Sequence, residues 1–183
     1  MPTLTLIAGP NGSGKSTLTR SIDFDGRERL LDPDAIAREL NPLDVSAAAI
    51  TAAREVLRRT AEYFNPGLSF AVETTLSGKG RLDLIREAKS RGDTVNLIFV
   101  GVNNPELCIT RIRRRASQGG HSVPDVDARR RYARSVANAA QALRQVYFAK
   151  FYDNSGEGHR LILIAEDGVI VWQLDPLPDW LNL

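Results

Sequence analysis

Gly9-Pro10-Asn11-Gly12-Ser13-Gly14-Lys15-Ser16 follows an apolar run, Leu4 to Ala8, and precedes a helical pattern that begins at Thr17 and carries Leu18 and Ile22. A glycine, four residues and then Gly-Lys-Ser, set between a strand and a helix, is the phosphate-cradling P-loop. Backbone N–H groups converge on a phosphate only where a strand turns sharply into a helix N-terminus, so the order of the flanking elements matters as much as the motif. Gly9, Gly12 and Gly14 supply positive φ angles and close backbone approach. Pro10, Asn11, Ser13 and Thr17 complete the expected nucleotide-binding stretch. Lys15 is expected on the β- and γ-phosphates, and the Ser16 hydroxyl is the expected magnesium ligand.

A chain of 183 residues suits one α/β unit with a proper core, and a single domain over 1–183 is expected. Cys108 is the sole cysteine, which excludes a disulfide framework and fits a reducing compartment. The N-terminus enters the first strand without a charged or apolar leader, and no apolar run approaches a membrane span. A cytoplasmic location follows as the expectation. The formal net charge of +2 says little about partners. Position says more, since nine of the 24 Lys and Arg residues lie between Arg111 and Arg144.

Strand-like runs recur at Thr3–Ala8, Leu30–Leu31, Leu68–Val72, Val95–Val102, Leu161–Ala165 and Val169–Leu174. Helical patterns alternate with the first four, which predicts a kinase-type P-loop α/β fold with a parallel sheet flanked by helices. Those helices are expected over Ala35–Leu40, Ser46–Phe64, Arg81–Arg91, Pro105–Gln118 and Pro124–Val146. In the second, Ala49, Ala53, Val56, Thr60 and Phe64 share the expected sheet-facing side. Glu166-Asp167-Gly168 between two apolar runs predicts a C-terminal hairpin. The arginine-rich helix, the Gly119-Gly120 break and the start of the next helix predict a lid over about residues 105–135.

Three groups of residues carry candidate chemistry. Asp32 and Asp34 follow the short strand at Leu30–Leu31, and ligands of doubly wound sheets bind at strand carboxyl ends. Either carboxylate could take the proton of a hydroxyl attacking the γ-phosphate, or one could serve as an ordinary helix cap. Glu73, Thr74 and Thr75 end another apolar strand and could hold hydroxyls of an acceptor or orient a metal-bound water. Lys79 and Arg81 follow on the same side as candidate contacts to an anionic substrate. The third group is cationic: Arg111 and Arg115 share one helix face, as do Arg130, Arg134 and Asn138 on the next. Arginines delivered by a closing lid neutralise charge in phosphoryl transfer. A solvated basic surface with ion pairs to Asp125 and Asp127 is the plainer alternative.

No Asn-Lys-x-Asp guanine-reading motif is present, which favours ATP over GTP. Leu76-Ser77-Gly78-Lys79-Gly80 echoes the signature of transporter ATPases, but the next strand, Asn96 to Val102, ends without the acid such ATPases need.

Taken in order, Gly9–Ser16, Leu31-Asp32-Pro33-Asp34, Glu73-Thr74-Thr75-Leu76-Ser77-Gly78, Gly119-Gly120-His121-x-Val123-Pro124, Arg130-Arg131-Tyr132-x-Arg134-Ser135 and Tyr152-Asp153-Asn154-Ser155 resemble the zeta-toxin-like P-loop kinases. The resemblance runs from Thr3 to about Leu174. It implies ATP-dependent phosphorylation of a sugar hydroxyl on UDP-N-acetylglucosamine or a related nucleotide sugar, held in check by an antitoxin at the nucleotide site. Residue by residue, it implies Lys15 and Ser16 as the P-loop lysine and magnesium hydroxyl, and Asp34 as the base. Glu73 and Thr75 fall on the substrate-holding step, with Glu55 as a further substrate-side carboxylate; from the residues themselves, Asp32, Arg81, Arg130 and Arg134 are also expected on the substrate side. Arg111 or Arg115 takes the lid role near the γ-phosphate, and Asn154 an adenosine-side role. The chain departs from the family where a lid arginine is expected before a small residue and proline, since His121 stands there. A protonated His121 could donate to phosphate; a neutral one is poorer.

Two other functions compete with a small-molecule kinase. A nucleic-acid end kinase or nucleotide kinase draws on the Arg111–Arg134 cluster, although the scarcity of interleaved aromatics makes nucleic acid the weaker option. An ATP-responsive switch module without a small acceptor is the third, and acids at two strand ends count against it.

Overall fold

The computed structural model describes residues 1–120 and 122–181, with the Lys79 side chain also outside the described part. Seven strands are described: β1 (Thr3–Ala8), β2 (Leu30–Leu31), β3 (Phe70–Thr74), β4 (Thr94–Gly101), β5 (Phe148–Asp153), β6 (Arg160–Glu166) and β7 (Val169–Gln173). Among the described residues, six α-helices accompany them: α1 (Lys15–Ser21), α2 (Pro33–Leu40), α3 (Ala49–Phe64), α4 (Lys79–Ser90), α5 (Pro105–Ala116) and α6 (Asp125–Leu143), with a 3-10 turn at Arg27–Arg29.

The strands form one sheet in the order β2-β3-β1-β4-β5-β6-β7. β2 through β5 pair in parallel, and β6 and β7 add an antiparallel edge. This is the expected α/β class, with a mostly parallel sheet flanked by helices and a terminal hairpin. Every residue of β1 is buried, as befits a parallel strand covered on both faces. Its side chains alternate between two cores: Leu4, Leu6 and Ala8 join the larger cluster with Val56, Phe70 and Phe99, while Ile7 meets Leu18 of α1, Ile98 and Val100 on the other side.

The departures from expectation are local. No strand was anticipated at β5, where Ala149, Phe151 and Asp153 point inward and Phe148, Lys150 and Tyr152 stay half-buried. Its apolar residues run on from helix α6 without punctuation, so the change of period is obscured. In α3 the inward residue is Ala52, and Ala53 is exposed. α5 ends at Ala116, earlier than expected, where Gly119 at φ 83 and the Gly120 N–H bond to the Arg115 carbonyl close its last turn. The Asp167-Gly168 turn has positive φ at both residues, 47 and 76, which matches the twist a tight hairpin requires.

The order of strand addition changes side at β1. The path runs from β1 out to β2, back to β3, then across to β4 and β5. The carboxyl ends of β1, β2, β3 and β5 therefore open onto one crevice, where such sheets bind ligands.

Candidate active site

The loop after β1 has the backbone a phosphate cradle needs. Gly9, Gly12 and Gly14 take φ of 142, 77 and 99. A Cβ on Gly12 would stand 2.6 Å from the Cys108 carbonyl oxygen, and one on Gly9 would overlap the Val100 carbonyl oxygen. Both glycines are thus needed for packing as well as conformation. Lys15 is buried at the start of α1, and its ammonium donates to the Gly9 and Pro10 carbonyls at 3.0 and 3.1 Å.

Glu73, at the end of β3, faces this loop because β3 lies beside β1 with Glu73 in register with Ile7. Its carboxylate lies 3.8 Å from the Lys15 ammonium and accepts from the Ser16 hydroxyl at 3.2 and 3.3 Å. Burial pushes the Glu73 carboxyl above its ordinary range; Lys15 and Ser16 oppose the shift, and Asp32 and Asp34 add to it.

Asp32 and Asp34 divide their work. Asp32 is the N-cap of α2, and its Oδ1 accepts from the Asp34 N–H at 2.9 Å. Asp34 is therefore not the cap. Its Oδ2 accepts from Arg115 of α5 at 3.2 Å, with both side chains a little over a third exposed. Arg111, one turn earlier on α5, donates instead to the Asn154 carbonyl at 3.0 Å. Asn154 in turn donates its side-chain amide to the Ser13 carbonyl at 2.7 Å. α5 thus touches the base candidate with one arginine and the wall beside the P-loop with another.

Several other expected site residues lie apart. Arg130 pairs with Asp127 at 2.6 Å on the exposed side of α6, and Arg134 is exposed. Arg113 pairs with Asp125, and Arg129 bonds Glu106 twice at 2.9 Å, so much of the cationic cluster is the solvated surface of the plainer alternative. Glu55 is bound by Arg58 and Arg59 of its own helix, which lower its carboxyl to about 2. Arg81 is half-buried between α3 and α4 beside Thr60 and Phe64, and burial lowers its guanidinium below the ordinary value. Thr75 shares a 2.8 Å contact with Ser77. The Cys108 thiol is pushed up to about 11 by burial, in keeping with a core role. His121 and the Lys79 side chain lie outside the described residues.

Two contacts were not foreseen. His159 Nε2 lies 3.0 Å from the Gly14 carbonyl, and the Trp180 indole donates to Asp153 at 2.9 Å while its ring covers Gly101. Neither carries a sequence signal, because both depend on where the last strands lead the chain.

The residues fit a nucleotide triphosphate with a hard cation. Among the described residues, Asn11 Oδ1 and Ser13 Oγ of the loop, and Nη1 of Arg111, whose Nη2 bonds Asn154 beside the loop, are buried without a hydrogen-bond partner. Ser16 and Glu73 offer oxygen donors only. No cluster of three or more His, Cys, Asp or Glu suited to a metal occurs among the described residues. Magnesium does not need one, since it is held by one or two protein oxygens together with phosphates. None of the described helices is long and apolar enough to cross a membrane.

A mostly parallel sheet whose first strand leads through a P-loop into a helix is a P-loop nucleotide-binding fold, and the solved structures it resembles are P-loop kinases. The zeta toxin family model matches residues 1–157, and the chain belongs to that family. An uncharacterized protein of Haemophilus influenzae is 36% identical over 124 residues, covering 68% of this chain and 88% of that protein. Among solved structures, a chain of the AvrRxo1-ORF1:-ORF2 complex with ATP matches 93% of this chain with a TM-score of 0.70 and 14% identity. The present chain spans 60% of that chain's length. The PezAT chromosomal toxin-antitoxin system of Streptococcus pneumoniae supplies another match, covering 98% of this chain and 75% of that one at a TM-score of 0.60 and 17% identity. At such identities the likeness is one of fold.

Proposed function

We propose that this protein is a Mg–ATP-dependent kinase that phosphorylates a hydroxyl of a small molecule, with a nucleotide sugar such as UDP-N-acetylglucosamine as the acceptor. The observation that carries the reading is the convergence of Asp34, Arg115, Glu73 and the P-loop at the carboxyl ends of the strands. The bound nucleotide and its magnesium would supply the phosphoryl group and neutralise charge on it.

The chain's own residues have separate tasks. The loop from Gly9 to Ser16, with Thr17, holds the phosphates by its N–H groups. Lys15 adds an ammonium there, and Ser16 with Glu73 would hold the cation. Asp34 Oδ2 accepts the proton of the acceptor hydroxyl. Arg115 holds Asp34 before the acceptor arrives, and Arg111 presents its unpartnered Nη1 beside the loop. Asn154 lines the adenosine side. Thr75 and Asp32 are the remaining acceptor-side positions, and Arg81, held between α3 and α4, is not among them. Arg130, Arg134 and Glu55 would join only if α5 and α6 close as the lid over about 105–135.

The similarity to a toxin-antitoxin system supports an antitoxin as protein partner, and the similarity to a complex determined with ATP supports ATP as donor. The test is mass spectrometry of products after incubation with Mg–ATP and separate UDP-sugars, nucleosides and oligonucleotides. One added phosphate on a UDP-amino sugar supports the reading. Phosphate on an oligonucleotide or nucleoside alone overturns the acceptor, and tight ATP binding without any product favours a switch.

A further inference from the structure

Leu76 has a left-handed backbone, φ 55, and is fully buried. A bulky non-glycine residue enters that region only when its surroundings hold it there, and such strain concentrates at functional sites. Two hydrogen bonds hold this one. The Leu76 N–H donates to the Thr74 hydroxyl at 3.0 Å, a bond within the turn itself. The Leu76 carbonyl accepts from the Asn138 side-chain amide at 2.7 Å, and Asn138 lies 62 residues away on α6.

The turn stands next to the candidate site. Glu73, which meets Lys15 and Ser16, is three residues before Leu76. On either side of Leu76, the Thr75 and Ser77 hydroxyls face each other at 2.8 Å and stay half-buried. With Leu76 anchored in the core, its φ decides where those two hydroxyls stand. Of the α6 residues in the cationic constellation, Arg130 and Arg134 are exposed and only Asn138 turns inward. The same helix packs on α5 through Ile109, Ile112 and Ala128.

We propose that Asn138 is a positioning residue for the acceptor: it locks the left-handed turn at Leu76, so that the Thr75–Ser77 hydroxyl pair is held beside Glu73. This rests on the kinase reading for its consequence, though not for its geometry.

The test compares wild type with Asn138→Ala, Asn138→Asp and Ser135→Ala. Ser135 is the control, buried on the same helix without a hydrogen-bond partner. Amide hydrogen exchange is followed over 73–78 and over β1 and β4, alongside steady-state transfer from Mg–ATP to UDP-N-acetylglucosamine. Exchange over 73–78 is expected to quicken about tenfold in Asn138→Ala, with β1 and β4 unchanged. Asn138→Asp should do at least as much, because an isosteric carboxylate cannot donate and faces the Leu76 carbonyl. The KM for UDP-N-acetylglucosamine should rise roughly tenfold while that for ATP stays within about twofold. A packing role would instead leave Asn138→Asp near wild type and make Ser135→Ala resemble Asn138→Ala. Should Asn138→Ala unfold, the isosteric Asn138→Asp decides. Unchanged exchange over 73–78, or equal shifts in both KM values, overturns the proposal. If wild type fails to phosphorylate UDP-N-acetylglucosamine, that acceptor is refuted, and the exchange result alone decides on Asn138.

Discussion

Arg115 and Asp34 are 81 residues apart in sequence and 3.2 Å apart in space, and they form an ion pair between α5 and α2 at the mouth of the P-loop. Solvent reaches both, so the pair adds little to stability. Its consequence is geometric, since it holds the Asp34 carboxylate in one orientation, and in the proposed reaction it would keep a guanidinium within reach of the place where charge develops.

Arg115→Ala is therefore expected to lower kcat/KM roughly 10²-fold and to leave the melting temperature within a few degrees. Steady-state kinetics with a thermal scan checks this. A variant that melts far lower with unaltered turnover would make Arg115 structural.

Gly9→Ala should fail differently. The added Cβ meets the Val100 carbonyl oxygen, which is strand backbone and cannot step aside, at a φ of 142 that side chains avoid. About 1–3 kcal/mol of destabilisation is expected, with loss of nucleotide binding. Denaturant unfolding and titration with a fluorescent ATP analogue measure the two effects.

Glu73 makes stability depend on pH. Its folded carboxyl is raised above the ordinary 4.5, mainly by burial, so the folded state holds that proton more tightly than the unfolded chain. The stabilisation it contributes is present in full below the unfolded value and is lost as pH rises through the folded one. Glu73→Gln removes this dependence. The melting temperature of Glu73→Gln relative to wild type should climb between about pH 4 and pH 8 in the absence of nucleotide. A constant difference across that range would contradict the burial assignment.

Much of this architecture was legible in the sequence because local chemistry repeats the global arrangement. The P-loop carries its own strand and helix signals, and Glu166-Asp167-Gly168 carries its own turn. β5 was hidden because its apolar residues continue those of α6, and its inward set ends in Asp153, a polar residue. The division of labour between Asp32 and Asp34 was hidden too, since it rests on which carboxylate the α2 N-terminus takes as its cap. Long-range partners were beyond reach for another reason. Asn138 with Leu76, Trp180 with Asp153 and His159 with Gly14 meet only after the sheet order is fixed, and no spacing in the sequence encodes that order.

The central claim, that Asp34 is the base of a phosphotransferase, is tested most directly by Asp34→Asn. ATP affinity and the rate of phosphate transfer to UDP-N-acetylglucosamine are measured on the same preparation. The prediction is ATP affinity within about threefold of wild type, with transfer reduced at least 10²-fold, as expected for losing a general base. Transfer at the wild-type rate, or loss of ATP binding together with transfer, would contradict it.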